Sequence, residues 1–224
     1  MAHDKAWPHG AHAGMVELTR MAEPPALPAL LVKEVFDRFF ALAVLLMLSP
    51  LLLALALAIR LTSEGPVLFR QLRIGREGRP FHVYKFRSMR LHAEQDGRLT
   101  QATRDDPRIT PLGRLMRRTS LDELPQFLNV LRGEMSVVGP RPHALEHHDL
   151  YLRRLPGYLY RHGMKPGITG WAQIHGCRGE TDSDDKMAQR VALDLHYIGH
   201  WSLGMDLKIV CWTALHGWTD HHAY

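Results

Sequence analysis

Charged residues disappear from the chain between Phe39 and Ile59, a run close to the roughly 20 apolar residues that a helix needs to cross a bilayer core. Lys33, Glu34, Asp37 and Arg38 precede the run and Arg60 closes it. A buried helix apolar on every face would need a larger protein around it, so the pattern predicts membrane insertion. Ser49 and Pro50 stand near the middle. A proline there removes a backbone donor and clashes with the carbonyl four residues back, which predicts a kink or break. The Ser49 hydroxyl can satisfy a freed carbonyl in an apolar medium.

Past Arg60 the pattern changes. "PVLFRQLRIG" and "RPFHVYKFRSM" flank a "REG" turn, and their β-branched and aromatic content predicts two short strands. From Arg108 onward helices dominate. "TPLGRLMRR" reads as a short basic helix, "LPQFLNVLRG" as another closed by Gly133, and "ALEHHDLYLRRL" as a third ending before Pro156. Met187, Val191, Leu195 and Ile198 share one helical face. In "GMDLKIVCWTALHGW" the spacing puts Leu207, Val210, Ala214 and Trp218 on another, either a core stripe or, with Trp201 and Trp212 nearby, an interfacial one.

Composition narrows the partners. The 224 residues suit one functional unit with appendages. A net charge of +5 and a pI near 9.4 point to an anionic partner, whether nucleic acid, phospholipid or a phosphorylated small molecule. Eight Lys or Arg residues between Arg60 and Arg90, against Glu64 and Glu77, mark the cytoplasmic side of a membrane segment and suit phosphates. Cys177 and Cys211 form no ligand-spaced cluster, which favours a reducing setting. His143 and His147 stand four apart with no third ligand and read as surface residues rather than a metal site. The first thirty residues hold no apolar core of signal-peptide type, and "AEPPALPAL" reads as part of a Pro-rich, poorly ordered tail. The expected division is therefore a tail over 1–32, a broken membrane helix over 33–60 and a catalytic unit over 61–224.

Phosphoryl chemistry is concentrated between Arg117 and Pro142. Asp122 and Glu123 are adjacent carboxylates, Arg117 and Arg118 lie just upstream, and Arg141 is held between two prolines. Ser120 to Glu123 also fits a capping box, which would make the acids structural. Pro125 sits awkwardly for a simple cap, however, and the GPRP turn displays the residue best shaped to grip phosphate. A carboxylate among cations can hold Mg²⁺ against a pyrophosphate, or attack phosphorus and become a transient acyl phosphate. Lys85, Arg87, Arg117 and Arg141 are the candidates for screening the charge that develops.

Together, "VFDRFFALAVLLMLSP", "SEGPVLFRQLRIGREGRPFHVYKFRSM", "TSLDELPQFLNVLRGEMSVVGPRP" and "KPGITGWAQIHG" resemble the bacterial sugar transferases, the monotopic phosphoglycosyl transferases, from about Val32 to Tyr224. The later segment is similar to the exopolysaccharide-initiating branch, the undecaprenyl-phosphate glucose phosphotransferases, whose members usually carry further N-terminal membrane helices. The resemblance implies an α+β, mainly helical fold. Its membrane helix would be re-entrant, breaking at Ser49 and Pro50, and amphipathic helices would surround a compact catalytic domain on the cytoplasmic face of the bacterial inner membrane. It implies transfer of a sugar 1-phosphate from a UDP-sugar to undecaprenyl phosphate with release of UMP. Glucose is the expected sugar, with galactose or a modified hexosamine as alternatives. By motif position Asp122 resembles the nucleophile and a Mg²⁺ ligand, and Glu123 its partner. Arg117 would stabilise the dyad or the phosphate, Lys85 and Arg87 would line the phosphate pocket, and Arg141 would bind polyprenyl or nucleotide phosphate. Membrane phospholipid is an expected partner and nucleic acid is not; a two-fold homodimer is the common default. The contrasting readings are a non-catalytic, membrane-anchored anion binder and a soluble phosphotransferase with a core helix at 39 to 59.

Overall fold

The computed structural model describes residues 22–90, 106–177, 179 and 183–216. The chain is mostly helical, with two small two-stranded sheets. Helix α1 spans Leu27–Met47 and α2 spans Ser49–Thr62. Strands β1 (Leu68–Ile74) and β2 (Pro80–Phe86) pair antiparallel around a tight turn at Arg76–Gly78, in the register Leu68 to Phe86 and Ile74 to Pro80. This is the hairpin the sequence predicts. Helices α3 (Pro111–Arg118) and α4 (Gln126–Leu131) follow, then β3 (Ser136–Val138), α5 (Leu145–Arg154), a 3₁₀ segment at Tyr158–Gly163 and β4 (Gly167–Thr169). A single turn, α6 (Trp171–Ile174), precedes α7 (Asp184–Gly199) and α8 (Leu203–His216).

Helix α1 starts at Leu27 rather than Lys33, because Pro28 falls in its first turn, where no backbone N–H is needed. The described end of the expected tail is also packed: Ala22 is buried, and a Cβ on Gly163 would lie 2.9 Å from Pro24 Cγ. No single described helix is long and apolar enough to cross a membrane; α1 and α2 meet that condition only together, as a pair bent by 64°. Pro50 cannot donate to the Leu46 carbonyl, and the Ser49 hydroxyl donates to it instead at 2.8 Å. The Leu46 carbonyl thus keeps a partner across the break.

Both outer ends of the bent pair are fastened to the globular body. Lys33 Nζ lies 2.6 Å from Asp206 Oδ2 in α8. The Asp37 carboxylate accepts from the Ser136 hydroxyl at 2.7 Å and the Val137 N–H at 3.1 Å. Tyr197 and Trp201 donate to Asp206 as well. At the far end, Leu55 and Ile59 of α2 pack on Phe86 and Met116. Leu46, Met47 and Leu53, around the bend, stay exposed.

The main core lies between α1, α4, β3, α7 and α8. Met187, Val191, Leu195 and Ile198 are all buried there, on the face the spacing predicts. In α8 the expected stripe is displaced: Leu207 is exposed and the buried residues are Asp206 and Ile209. The ion pair from Lys33 pulls Asp206 inward and sets the helix rotation. Trp218 lies outside the described residues. Strands β3 and β4 pair in parallel, Ser136 with Gly167 and Val138 with Thr169. Their backbones touch so closely that a Cβ on Gly167 would lie 2.1 Å from the Gly139 nitrogen.

Candidate active site

Asp122 and Glu123 sit in a single 3₁₀ turn, Leu121–Glu123, between α3 and α4. No capping box forms: Ser120 adopts left-handed φ 55 and ψ 18, and its side chain caps nothing. A non-glycine residue in that region costs on the order of 1–3 kcal/mol and clusters at functional sites. Helix α3 leads into the turn from a Thr110 cap on the Gly113 N–H at 2.9 Å. Gly113 packs so tightly that a Cβ would lie 1.9 Å from the Ser88 carbonyl oxygen, which fixes the height of α3 against the end of the hairpin.

The two carboxylates have different surroundings. Glu123 is clamped: Lys85 Nζ lies 2.6 Å from Oε1 and an Arg141 terminal nitrogen 2.8 Å from the same oxygen. Burial alone would raise its carboxyl, but the Arg141 and Lys85 charges outweigh it and hold Glu123 well below the usual carboxylate range. Asp122 is 8 % exposed, and its carboxylate accepts no hydrogen bond among the described residues. Burial pushes it up to about 6, opposed by Lys85, helped by the Glu123 charge and opposed again by Arg117 and Arg141. One acid is thus a fixed anion and the other a buried carboxylate with open lone pairs.

Long-range contacts set this geometry. Asn129 of α4 takes the place of a strand partner, donating to the His82 carbonyl at 2.7 Å and accepting from the Tyr84 N–H at 3.0 Å. That link fixes β2, and therefore Lys85, against the turn carrying Glu123. The Arg141 carbonyl accepts from Arg161 at 2.8 Å, and Arg161 is held by Asp194 at 2.6 Å in a pair only 2 % exposed on each side. Arg73 donates to the Pro142 carbonyl. The polar positions Arg190 and Asp194 on the apolar face of α7 were the available sequence signal for this support. Arg161 carried none.

Lys85, Arg141 and Glu123 thus touch one another beside Asp122, and Arg117 is near enough for its charge to act on Asp122. Arg87 does not join the clamp. Its terminal nitrogens donate to the Pro66 carbonyl at 2.5 Å and to the Ser63 carbonyl and hydroxyl at 2.8 and 2.9 Å, so it ties the hairpin to the end of α2. His143 is buried rather than on the surface, with Nδ1 2.8 Å from the Tyr158 hydroxyl; the side chain of His147 lies outside the described residues. Among the described residues no group of three or more His, Cys, Asp or Glu is arranged to hold a metal.

A family model for bacterial sugar transferases matches residues 28–220. The chain belongs to the bacterial sugar transferase family. This sugar transferase is 54% identical over 194 residues to the UDP-glucose:undecaprenyl-phosphate glucose-1-phosphate transferase of Escherichia coli (strain K12), an alignment covering 87% of the chain and 42% of that relative. It is 51% identical over 192 residues to a protein of the same name from Klebsiella pneumoniae, covering 86% and 41%. The like-named protein of Caulobacter vibrioides is 49% identical over 201 residues, covering 89% of the chain and 74% of the relative. The sugar transferase thus spans about two-fifths of the length of the first two.

Proposed function

We propose that this sugar transferase moves glucose 1-phosphate from UDP-glucose to undecaprenyl phosphate, releasing UMP, through a covalent intermediate on Asp122. The observation that carries the reading is the unequal pair: Glu123 is saturated by Lys85 and Arg141, while Asp122 keeps its lone pairs free. A carboxylate used for folding alone would be hydrogen-bonded. Glucose follows the names of the relatives.

An Asp122 oxygen attacks the β-phosphorus of the donor. The bond from that phosphorus to the oxygen bridging to the α-phosphate breaks, and UMP departs with the electron pair. An oxygen of undecaprenyl phosphate then attacks the same phosphorus and the Asp122–phosphorus bond breaks, restoring the carboxylate. Lys85 and Arg141, placed before the reaction by their contacts with Glu123, and Arg117 nearby supply positive charge around the phosphoryl oxygens. Glu123 keeps Lys85 and Arg141 in place and so acts as a positioning residue. The donor set fits Mg²⁺, which binds one or two carboxylates together with substrate phosphates: Asp122 is the free acid here, and its second oxygen can serve as the protein ligand. When bound, the ion would neutralise the diphosphate.

The bent pair supports a monotopic attachment to the cytoplasmic face of the bacterial inner membrane. Its uncharged arms, residues 39–47 and 49–59, are about 14 and 16 Å long at 1.5 Å per residue, each short of a roughly 30 Å hydrocarbon core. The outer ends are fastened to one folded body through Lys33, Asp37 and Ile59, so they lie on the same side of any bilayer the bend enters. The exposed Leu46, Met47 and Leu53 are the residues that would dip into lipid.

The test is incubation of the protein with radiolabelled UDP-glucose, Mg²⁺ and undecaprenyl phosphate. A lipid-linked product and UMP are expected, and without acceptor the intact protein should gain the mass of one hexose phosphate. Wild-type turnover in Asp122→Asn would rule out the nucleophile assignment.

A further inference from the structure

Between the end of α2 and strand β1 lies an open cleft of about 420 Å³, lined by Pro66, Leu68, Phe69, Arg70 and Arg87. That volume falls within the roughly 300–1,000 Å³ of small-molecule sites. Arg87 is 6 % exposed, and its Nε has no hydrogen-bond partner among the described residues. Its other nitrogens meet two carbonyls and a hydroxyl, and no carboxylate. Arg60, one helical turn before Ser63, is close enough for its charge to depress the Arg87 guanidinium further, after burial itself. Arg70 lies over the Tyr84 ring at 5.4 Å and forms no ion pair among the described residues. Two arginines, Arg70 and Arg87, thus line the cleft with no ion pair of their own among the described residues, and the Arg60 charge acts on Arg87 from beside it.

A buried, unbalanced guanidinium is costly unless an anion answers it. The planar fork of arginine matches phosphate oxygens. Pro66, Leu68 and Phe69 form apolar walls beside the charge, which suits a phosphate attached to a lipid better than a free ion. Leu57 and Leu61 of α2 are 60% and 75% exposed just before the cleft, so it opens where the bent pair would leave the bilayer. We propose that the cleft lined by Arg70 and Arg87, with Arg60 beside it, docks the phosphate of a membrane lipid, at a second site separate from the Glu123 clamp. The occupant is a phospholipid headgroup, and the polyprenyl acceptor of the proposed reaction is the alternative that the test separates from it. The inference rests on the membrane-attached reading of the bent pair.

The test variant is R60Q/R70Q, which leaves the buried Arg87 and its structural contacts intact. R76Q/R79Q, on the exposed hairpin turn, removes the same formal charge and serves as the control. In an Asp122→Asn background, which needs no turnover, native mass spectrometry measures retention of phosphatidylglycerol, phosphatidylcholine and undecaprenyl phosphate. In the background with Asp122 present, KM for undecaprenyl phosphate is measured. R60Q/R70Q should weaken binding of phosphate lipids about tenfold, the scale of one charged hydrogen-bond contact, and the control less than about twofold. Loss of phosphatidylglycerol retention with an unchanged acceptor KM identifies a phospholipid site. A rise in acceptor KM with kcat held and phosphatidylglycerol retention unchanged would instead overturn it in favour of the acceptor's own subsite. The proposal is overturned if neither changes, if the control loses as much, or if inorganic phosphate alone binds as tightly as the lipids. A failure of the proposed reaction would leave the lipid-retention arm readable.

Discussion

Replacing Asp122 by asparagine should stabilise the protein while abolishing turnover, and the gain should depend on pH. Burial raises the Asp122 carboxyl from 3.8 to about 6, which means the folded chain disfavours the ionised form. The stability contributed by this position is full below the unfolded value of 3.8 and is lost as pH rises through about 6. A displacement of about two units corresponds to about 3 kcal/mol at 1.36 kcal/mol per unit. Asparagine keeps the shape without the charge, so at pH 7.5 the variant should gain up to about 3 kcal/mol. For a chain of this size that is roughly 6–12 °C in Tm. Thermal unfolding in detergent from pH 4 to 8 reads it: the wild-type midpoint should fall across pH 4 to 7 relative to a nearly flat Asp122→Asn curve. The same ionisation should raise the rate of the UMP burst about tenfold between pH 5 and 7, as the ionised fraction climbs from about a tenth to about nine-tenths. Equal midpoints at pH 7.5, or a burst rate flat from pH 5 to 7, would refute the reasoning.

Three further outcomes follow from the geometry. Glu123→Gln removes the anion shared by Lys85 and Arg141 and one charge that raises Asp122, so the acidic limb of the burst rate should move below pH 6 while its maximum falls at least tenfold, about 1.4 kcal/mol. Asn129→Leu strands the His82 carbonyl and Tyr84 N–H, at about 1–3 kcal/mol each; denaturant unfolding should show the loss, together with a reduced kcat. Gly113→Ala places a Cβ against the Ser88 oxygen and should cost about 1–3 kcal/mol, read as a lower Tm.

The sequence announces what depends on neighbours along the chain. The hairpin, the α7 stripe and the break at Ser49 and Pro50 are all short-range, and the observed elements follow them. The dyad was legible because its two acids are adjacent, and Arg141 because prolines flank it. Arg87 stands apart from the clamp although strand alternation puts it on the same face as Lys85; only the folded end of α2 supplies the carbonyls that capture it. The capping box failed because its spacing says nothing of φ at Ser120. Lys33 and Asp37 read as mere flanks of an apolar run, since their partners Asp206 and Ser136 lie far along the chain. Buried ion pairs of that kind leave no local pattern, and they also decided which face of α8 turns inward.

The fastening of α1 has a consequence for engineering. A membrane anchor is ordinarily a detachable part, and trimming it is a common way to obtain a water-soluble fragment. Here Ala41, Leu55 and Ile59 are components of the cores themselves, and Asp37 satisfies the Val137 N–H in the strand that leads to Arg141. A fragment beginning after Arg60 would leave Asp206 without its lysine and open the floor beneath the GPRP turn. Solubility must instead come from polar substitutions at the exposed bend, at Leu46, Met47 and Leu53, with both helices retained.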